Sequence, residues 1–458
     1  MIHKYNMFGY NIAIDIESGS VHILSDAAFS MLGYLENIAN SPNFSGFEKD
    51  CPVDIRYHLA KFDGADVSEA YAELIELYKD NMLFTKPDNI DLEHSYIVKA
   101  LCLNISHDCN MMCEYCFASK GDFGLSKKLM SEETGMQAIQ FLMENSGERK
   151  NLEVDFFGGE PLMNFEVVKN IVTKTRELEK SYNKNVRFTL TTNGTLLDDA
   201  SIDFINEHIS NVVLSLDGLP ETNDSVRKYN NGGGIYSDIV PLYQKLIASR
   251  GAKDYYVRGT FTRKNLNFTK DIIHMADDLG FKHISVEPVV LPESDEYAIR
   301  NEDLPIVFRE YETLAREIIK RGRRNSGQFN FFHFNIDLEA GPCVYKRSKG
   351  CGAGSEYLAI TPDGDIYPCH QFVGNQAFNL GNVADGIAKK NLIREFFDNN
   401  IIKNEACSTC WVKYFCGGGC AANNQNFNND IYAPYEIACE MEKKRVECAI
   451  AIQAVLSV

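Results

Sequence analysis

The chain has 458 residues, of which 45% are hydrophobic and 24% are charged, a composition typical of a globular protein with two or three domains. Its 46 basic and 64 acidic residues leave a formal net charge of −18, which excludes nucleic-acid binding except through a local basic patch. The one tight basic run, "KRGRR" at 320–324, is interpreted as a solvated helix end.

The chain starts without an apolar signal segment and has no run of 18 apolar residues, so we expect a cytoplasmic protein with no membrane or nucleic-acid partner. Fourteen cysteines in a reducing compartment indicate metal sites rather than disulfides. Three of them lie in 109–116 and eight in 343–439, whereas Cys51, Cys102 and Cys448 are isolated and are interpreted as packing residues.

The first elements in chain order suggest a small module over residues 1–90. "YNIAIDIESGSVHILS" alternates apolar and polar residues on both sides of Ser18-Gly19, which predicts a β-hairpin, and two amphipathic helical stretches follow. A hairpin followed by helices is a winged-helix-like arrangement, and the alternative is a dimerisation or packing domain. The polar segment 84–95, which contains Pro87, is a plausible linker.

From 97 to 325 apolar strands alternate with amphipathic helices, which predicts an α/β fold with a parallel sheet. In such folds chemistry gathers at the carboxyl ends of strands, and here those ends carry "CNMMCEYC", "GGEP", "TNG" and "SLDG". Residues 340–445 change to short strands, Gly-rich turns and cysteines. The segment "CEMEKKRVECAIAIQAVL" at 439–456 predicts a C-terminal helix, and 446–458 is the part of it beyond the cysteine-rich region.

The stretch "CNMMCEYC" places Cys109, Cys113 and Cys116 directly after the strand "ALCLNIS". Thiolates select zinc, copper(I) or iron–sulfur clusters, and three cysteines can hold three corners of a [4Fe–4S] cube while one iron stays free of protein. The spacing, with Tyr115 before the last cysteine, resembles the signature loop of radical S-adenosylmethionine (SAM) enzymes; the alternative is a zinc loop or free thiols. The resemblance implies a partial (β/α)6 TIM-like barrel, in which the open iron binds SAM and an electron cleaves SAM to a 5′-deoxyadenosyl radical.

Later strand ends resemble the SAM-binding elements of the same family. "GGEP" implies contact with the methionine amino group of SAM, "SLDG" and the downstream arginine imply contacts with its ribose and carboxylate, and "TTNG" implies part of the pocket wall. The alternatives are a strand-to-helix turn, a surface arginine and an Asn-Gly turn. Tyr115 is expected to contact adenine through its backbone. The SAM-binding residues so implied are Tyr115, Gly158, Gly159, Glu160, Pro161, Thr191, Asn193, Ser215, Asp217 and Arg227.

The C-terminal cysteines, in "CSTCWVKYFCGGGC" and around "TPDGDIYPC", resemble a SPASM domain over 340–445, which implies two auxiliary [4Fe–4S] clusters and three clusters in all. Cys343 is the positional candidate for the fourth ligand of Auxiliary I, but its gap to Cys351 differs from that of the sulfatase-maturing members. Without Cys343 that cluster has an open iron for a substrate thiolate. The alternative is a pair of zinc sites. The implied ligands are Cys407, Cys410, Cys416 and Cys439 for Auxiliary II, and Cys351, Cys369 and Cys420 for Auxiliary I.

The N-terminal module resembles the PqqD-like element that binds the leaders of ribosomally made precursor peptides by adding a strand to a sheet edge. The order of the three parts resembles the thioether-forming peptide maturases, and most narrowly those of SCIFF (six-cysteine) peptides. This resemblance implies a Cys-rich precursor peptide as substrate, a crosslink from cysteine sulfur to a threonine carbon, and an electron donor such as ferredoxin or flavodoxin. Attack at the α or a side-chain carbon stays open. His107, Asp337 and His370 are the candidate general bases.

Two other functions are compatible with these features. One keeps the clusters but changes the chemistry, to a formylglycine-forming sulfatase maturase or to an enzyme that joins carbons of a peptide. The other is a zinc-stabilised peptide-binding scaffold without catalysis. The leader-binding module disfavours the sulfatase maturase, and the metal content separates the scaffold from the enzymes.

Overall fold

The computed structural model describes residues 1–87, 96–324, 327–338 and 348–457. The N-terminal part is a three-stranded antiparallel sheet with helices packed on it. Phe8 and Gly9 connect the first two strands with positive φ at both positions, 55° and 86°, as in a type I′ hairpin turn. The elements are β1 (Ile2–Met7), β2 (Tyr10–Asp15), β3 (Val21–Leu24), α1 (Asp26–Ala39), α2 (Val53–His58) and α3 (Gly64–Lys79).

Both faces of this sheet pack against other parts of the molecule. Alternate side chains of β2 point to opposite faces and enter two different cores. Ile12 and Ile14 belong to the main core of the molecule, whereas Ala13 belongs to a smaller core with side chains of α1 and α3. The predicted hairpin is present as β2 and β3. Strand β1 is an addition to it, and it pairs with β2 along its whole length.

The middle of the chain alternates strands and helices, and β4 to β9 are all parallel. The predicted α/β class with a partial barrel is thereby confirmed. The elements are β4 (Ala100–Ser106), α4 (Glu132–Asn145), β5 (Asn151–Gly158), α5 (Phe165–Tyr182), β6 (Asn185–Thr192), α6 (Asp199–His208), β7 (Asn211–Ser215), α7 (Pro220–Val226), α8 (Tyr236–Ser249), β8 (Asp254–Phe261), α9 (Phe268–Asp277), β9 (His283–Pro288) and α10 (Leu304–Arg324).

The C-terminal region extends the parallel sheet at β4. Strand β11 pairs in parallel with β4 and turns at the predicted Pro362-Asp363-Gly364, where Gly364 has φ +84°, into the antiparallel β12. The additional strands are β10 (Asn330–Phe331), β11 (Tyr357–Ile360), β12 (Asp365–Tyr367), β13 (Gly381–Asn382) and β14 (Gly386–Ile387). The order across the sheet is β10-β9-β8-β7-β6-β5-β4-β11-β12-β13-β14, so the cysteine-rich region adjoins the first strand of the barrel.

The predicted C-terminal helix is present and starts slightly before the predicted segment 439–456. It begins at Glu436, so that Cys439 lies in its first turn, and it packs along α10. Across the described residues, each helix is too short or too polar to cross a membrane. The C-terminal helices are α11 (Lys390–Asp398), α12 (Glu405–Ser408), α13 (Lys413–Cys416), α14 (Ala421–Asn428) and α15 (Glu436–Leu456).

Candidate active site

A cavity of about 250 Å³ opens at the carboxyl ends of the parallel strands, where the fold class predicts chemistry. The cysteine loop, the GGEP segment and the ends of β6 and β7 all contribute to its wall. Pro161 and Asp217 lie behind this wall. The predicted site residues that line the cavity are Cys109, Cys113, Tyr115, Cys116, Gly158, Gly159, Glu160, Thr191, Asn193, Ser215 and Arg227.

Glycines allow the cysteine loop to lie directly against the GGEP segment. The amide of Glu160 donates to the carbonyl of Asp108 at 3.0 Å. A Cβ on Gly159 would lie 2.1 Å from that carbonyl oxygen, and a Cβ on Gly121 would lie 2.7 Å from the Cβ of Cys109. Only glycine fits at either position, so the backbone of the loop is held by its neighbours and not by the cysteines alone.

The carboxylate of Glu160 is buried and faces the cavity. It accepts hydrogen bonds from Thr192 Oγ1 at 2.7 Å, from the Asn193 amide at 2.8 Å and from the Leu162 amide at 3.0 Å. Burial raises the pKa of Glu160 to about 7, although the three donors lower it. A carboxylate in this state is stabilised by a cation beside it, such as an ammonium group.

Asp217 holds two cavity residues in place. Its Oδ2 accepts from Tyr115 Oη at 2.6 Å and from Arg227 Nε at 3.0 Å, and its Oδ1 accepts from the Thr260 amide at 2.8 Å. The carboxylate is fully buried and positions Tyr115 and Arg227, and the predicted contact of Asp217 with SAM stays a prediction. Ser215, from the same motif, lies in the cavity wall.

The Asn-Gly segment after β6 connects two parts of the wall. The Nδ2 of Asn193 donates to Asn110 Oδ1 at 3.0 Å and lies 3.8 Å from the sulfur of Cys109. Gly194 has φ +78°, and a Cβ there would lie 2.2 Å from the ring of Tyr243. The segment is therefore both a tight turn and part of the cavity wall.

The C-terminal cysteines of the described residues fall into two groups, within which the thiols raise one another's pKa. Burial raises the pKa of Cys369 well above its ordinary value, and Cys420 and Cys351 raise it further. Burial also raises the pKa of Cys439 to about 11, and Cys407 adds to this effect. The first group consists of Cys351, Cys369 and Cys420. The second group consists of Cys407, Cys410, Cys416 and Cys439. The two groups have the same members as the two predicted ligand sets, and their binding of clusters stays a prediction; Cys343 lies outside the described residues.

Comparison with known proteins places two domains on this framework. Residues 103–301 match the radical SAM superfamily, and residues 351–411 match the SPASM iron–sulfur cluster-binding domain. The chain contains a radical SAM domain followed by a SPASM domain. SAM and multiple [4Fe–4S] clusters are accordingly its cofactors.

Three similar proteins cover most of the chain. The radical SAM cyclopropyl synthase TigE of Paramaledivibacter caminithermalis is 21% identical and covers 85% of this chain and 84% of its own length. The cysteine-type anaerobic sulfatase-maturating enzyme of Clostridium perfringens is 26% identical, over 69% of this chain and 86% of its own. Crystalline Streptococcus suis SuiB, bound to precursor peptide SuiA, has the same fold with a TM-score of 0.51, 17% identity, and coverage of 95% of this chain and 98% of its own.

The cysteine loop of the radical SAM domain fits a [4Fe–4S] cluster. Burial raises the pKa of Cys109 to about 12 and that of Cys113 to about 11, so these thiols are protonated at neutral pH without a metal, and bound iron would stabilise their thiolate forms. In the described residues, no three side chains of His, Cys, Asp or Glu form a site for a single metal ion. A cube does not need such convergence, because each thiolate binds a different iron.

Charged residues on the far side of the cavity were missed by the sequence prediction. Arg258, in β8, forms an ion pair with Glu287 of β9, and both line the cavity with Thr260. Behind them His333 Nε2 lies 3.0 Å from Ser285 Oγ. The available signal was a charged residue near the carboxyl end of each of these two predicted strands.

The three candidate general bases lie in different places. His370 lines the cavity beside Phe117 and Phe157, with ring centres 5.4 and 5.0 Å away. His107 is buried away from the cavity, 3.2 Å from Asn104 Nδ2, and burial lowers its pKa to about 4. Asp337 is not part of the wall. Only His370 of the three is therefore within reach of a molecule in the cavity.

Proposed function

We propose that this protein is a radical SAM enzyme that joins a cysteine sulfur to a carbon of another residue, a threonine in the SCIFF-like case, within a Cys-rich precursor peptide. One observation carries the proposal. The cavity has Cys109, Cys113 and Cys116 in one wall, and in another it has His370 and Gln371, which directly follow Cys369. A peptide in this cavity lies between the SAM loop and the first auxiliary cysteine group.

Different residues around the cavity are proposed to bind the cluster and the two charged groups of SAM. Cys109, Cys113 and Cys116 hold the SAM-binding cluster, Glu160 accepts the ammonium group of SAM, and Arg227 faces its carboxylate. Bound SAM supplies a 5′-deoxyadenosyl radical, which removes a hydrogen atom from the peptide. For each carbon–sulfur bond the peptide loses two hydrogen atoms: one goes to the 5′-deoxyadenosyl radical, and the other leaves as the thiol proton and an electron that an auxiliary cluster would accept.

The N-terminal module is proposed to bind the leader of the precursor. Strand β3 is one of the two edge strands of the three-stranded sheet, β1 being the other, and Ile23 on β3 is 37% exposed. An extended peptide gains backbone hydrogen bonds by pairing with such an edge, and exposed apolar side chains beside it give selectivity. Binding in this way raises the effective concentration of the core peptide near the cavity.

The decisive experiment is an anaerobic incubation of the protein with SAM, reduced flavodoxin and a candidate precursor peptide, analysed by mass spectrometry. We expect 5′-deoxyadenosine and a peptide lighter by two hydrogens per crosslink, with the joined cysteine no longer open to alkylation. The variant with Cys109, Cys113 and Cys116 all changed to alanine should form neither product. Cys51→Ala, a buried cysteine of the N-terminal core, is the matched control and should retain both.

Metal analysis separates this proposal from the zinc-stabilised scaffold. Three four-iron clusters require about twelve iron atoms per chain. A colourless protein with stoichiometric zinc, or 5′-deoxyadenosine formation by the triple cysteine variant, would refute the assignment.

Leader binding is tested by a substitution at the sheet edge. Ile23→Lys should weaken the affinity for the leader peptide, because it places a charge where the added strand packs, and should leave SAM cleavage without peptide unchanged. Val53→Lys, at a residue of the same module that is 80% exposed, is the control. Equal leader affinity in both variants would contradict binding at β3.

A second candidate is modification of a sulfatase, which the name of the Clostridium perfringens relative favours. The same incubation with a peptide from a sulfatase cysteine site distinguishes the two. Conversion of that cysteine to an aldehyde, with no crosslink in any Cys-rich peptide, would favour this function over thioether formation.

A further inference from the structure

The basic run 320–324 is the end of α10, with Arg323 and Arg324 exposed as predicted, and it borders another cavity, of about 390 Å³, between α10 and the N-terminal sheet. Lys320 and Arg321 of the run pair with acidic side chains, among them Glu317. Arg316, one turn earlier on α10, adds another cation. Among the described residues, the cations of this cavity that form no ion pair are Arg316, Arg323 and Arg324.

The opposite wall is formed by Phe8 of the hairpin turn and by Tyr10 at the start of β2. A phenylalanine at φ 55° is sterically unfavourable, and Asn, Asp or Gly is usual at this turn position. The ring of Phe8 lies 5.1 Å from the guanidinium of Arg316, and Tyr10 Oη accepts from Arg323 Nη2 at 3.3 Å. Strained backbone positions are common at ligand sites, and here the strained residue holds an aromatic ring against an arginine.

We propose that this cavity binds an acidic stretch of the precursor peptide, a second contact besides the strand added to β3. The unpaired guanidinium groups offer the paired donors that carboxylates accept. A chain of net charge −18 repels acidic peptides over most of its surface, so a local group of cations determines where such a peptide docks. This inference rests on the proposed function, because it takes the precursor as the ligand.

The cavity lies at the end of the N-terminal sheet where β2 begins and β3 ends, within reach of a peptide strand added to β3. Asn11, at the start of β2, pairs with Leu24, at the end of β3, so this end of the edge strand is level with Tyr10. A peptide strand added to β3 has one of its ends here. Two strand spacings, about 10 Å, separate the added strand from β2, which three or four extended residues span.

The test is a fluorescence anisotropy titration of the full-length protein, with its clusters and without SAM. The probes are a labelled peptide that alternates Glu and Ser and its counterpart that alternates Gln and Ser. We expect only the acidic peptide to bind, more weakly at higher salt. Arg316→Gln with Arg323→Gln should raise its Kd about tenfold or more, since two charge-assisted hydrogen-bonding groups are lost. The control pair Arg149→Gln with Arg394→Gln changes the net charge equally at exposed sites outside the cavity and should leave the Kd near that of the wild type.

Phe8→Asn tests the turn without endangering the fold, because asparagine tolerates positive φ. It should weaken binding of the acidic peptide while the thermal unfolding midpoint stays near that of the wild type. Equal binding of the two peptides, or an unchanged Kd in the Arg316/Arg323 variant, would overturn the proposal. So would displacement by millimolar inorganic phosphate, or tighter binding of a single-stranded oligonucleotide. Acidic-peptide binding without any crosslinking would count against the proposed function alone.

Discussion

Gly159 determines how closely the GGEP segment approaches the cysteine loop, and this makes it a sharp point for mutation. A Cβ there would lie 2.1 Å from the Asp108 carbonyl oxygen and 3.0 Å from the Cα of Gly121, so two backbone segments would have to separate. Gly159→Ala is therefore expected to lose iron from the SAM-binding cluster and to lose SAM affinity. Iron analysis and equilibrium dialysis with SAM measure both.

Gly64 provides the matched control. It lies at the start of α3 with no heavy atom within 4 Å of an added Cβ. Gly64→Ala should retain iron and SAM binding and raise the free energy of unfolding by up to about 1 kcal/mol, because alanine favours the helix. Wild-type iron content in Gly159→Ala would show that the loop adapts to a side chain.

Asp155 on β5 is expected to make stability depend on pH. Burial raises its pKa to about 7, Glu153 adds to the effect, and the hydroxyl of Thr189 opposes it. The folded state therefore binds this proton more tightly than the unfolded chain does, and stability decreases as the pH rises from about 4 through 7. Asp155→Asn should lessen that decrease, as measured by urea unfolding at about pH 5.5 and 8. Asp199→Asn, at an exposed residue, is the control and should leave the decrease in stability with pH unchanged.

The residues that sequence could identify are those whose partners are close along the chain. The spacing of Cys109, Cys113 and Cys116 carries its own chemistry, and GGEP is a contiguous motif. The role of Asp217 depends on the Thr260 amide of the next strand, and that pairing exists only after the sheet forms. Arg258 was missed for the same reason, since its partner belongs to another strand.

At the scale of elements, the alternation of apolar strands with amphipathic helices predicted the barrel strands well, because every second side chain of strands such as β5 and β6 is an apolar core residue. It did not predict β1, whose six residues include Lys4 and Asn6 and whose burial is incomplete along the strand. The sequence also could not predict that β11 pairs with β4, because these strands lie about 250 residues apart along the chain. Their nearby partners, β5 for β4 and β12 for β11, pair with their opposite edges.

Glu17, in the turn after β2, connects the N-terminal sheet to α13 through a buried ion pair that mutation can test. Glu17 Oε1 accepts from Lys413 Nζ at 2.8 Å and Glu17 Oε2 accepts from Tyr414 Oη at 2.8 Å, with the ion pair nearly buried. Glu17→Ala leaves the Lys413 charge without its partner and is expected to cost about 3–5 kcal/mol of stability. Chemical unfolding measures the loss, and hydrogen exchange should increase in 407–416.

A double variant distinguishes charge from shape at this contact. Glu17→Leu with Lys413→Met removes both charges and should recover most of the stability, because the desolvation of two ions is also removed. Glu69→Ala, at an exposed residue of α3, controls for loss of an acidic side chain. If Glu17→Ala is as stable as Glu69→Ala, the buried pair does not hold the two parts together.

At the scale of the whole molecule, the N-terminal sheet is part of the main core and not a tethered accessory. Met7, Ile12 and Ile14 are buried in the same cluster as the apolar side of α15. Tyr5 Oη donates to the carbonyl of Glu447 on that helix at 2.8 Å, and the ring of His3 stacks on Trp411 at 3.7 Å. The surface that we propose to bind the leader is thus fixed relative to the loop that carries Cys410.

Removal of residues 1–87 is therefore expected to destabilise the remaining chain. Burial of a large aliphatic side chain contributes about 1.5–3 kcal/mol, so losing the contacts of Met7, Ile12, Ile14 and Ile16 removes several kcal/mol and exposes α15. The truncated protein should unfold at a lower urea concentration and self-associate more than the full chain in sedimentation velocity. A truncated chain with the unfolding midpoint and sedimentation behaviour of the full chain would show that the sheet adds no stability. On the expected result, deletion cannot separate leader binding from folding, whereas Ile23→Lys changes one partly exposed side chain of the sheet edge, beside Ile12, and retains Met7, Ile12, Ile14 and Ile16.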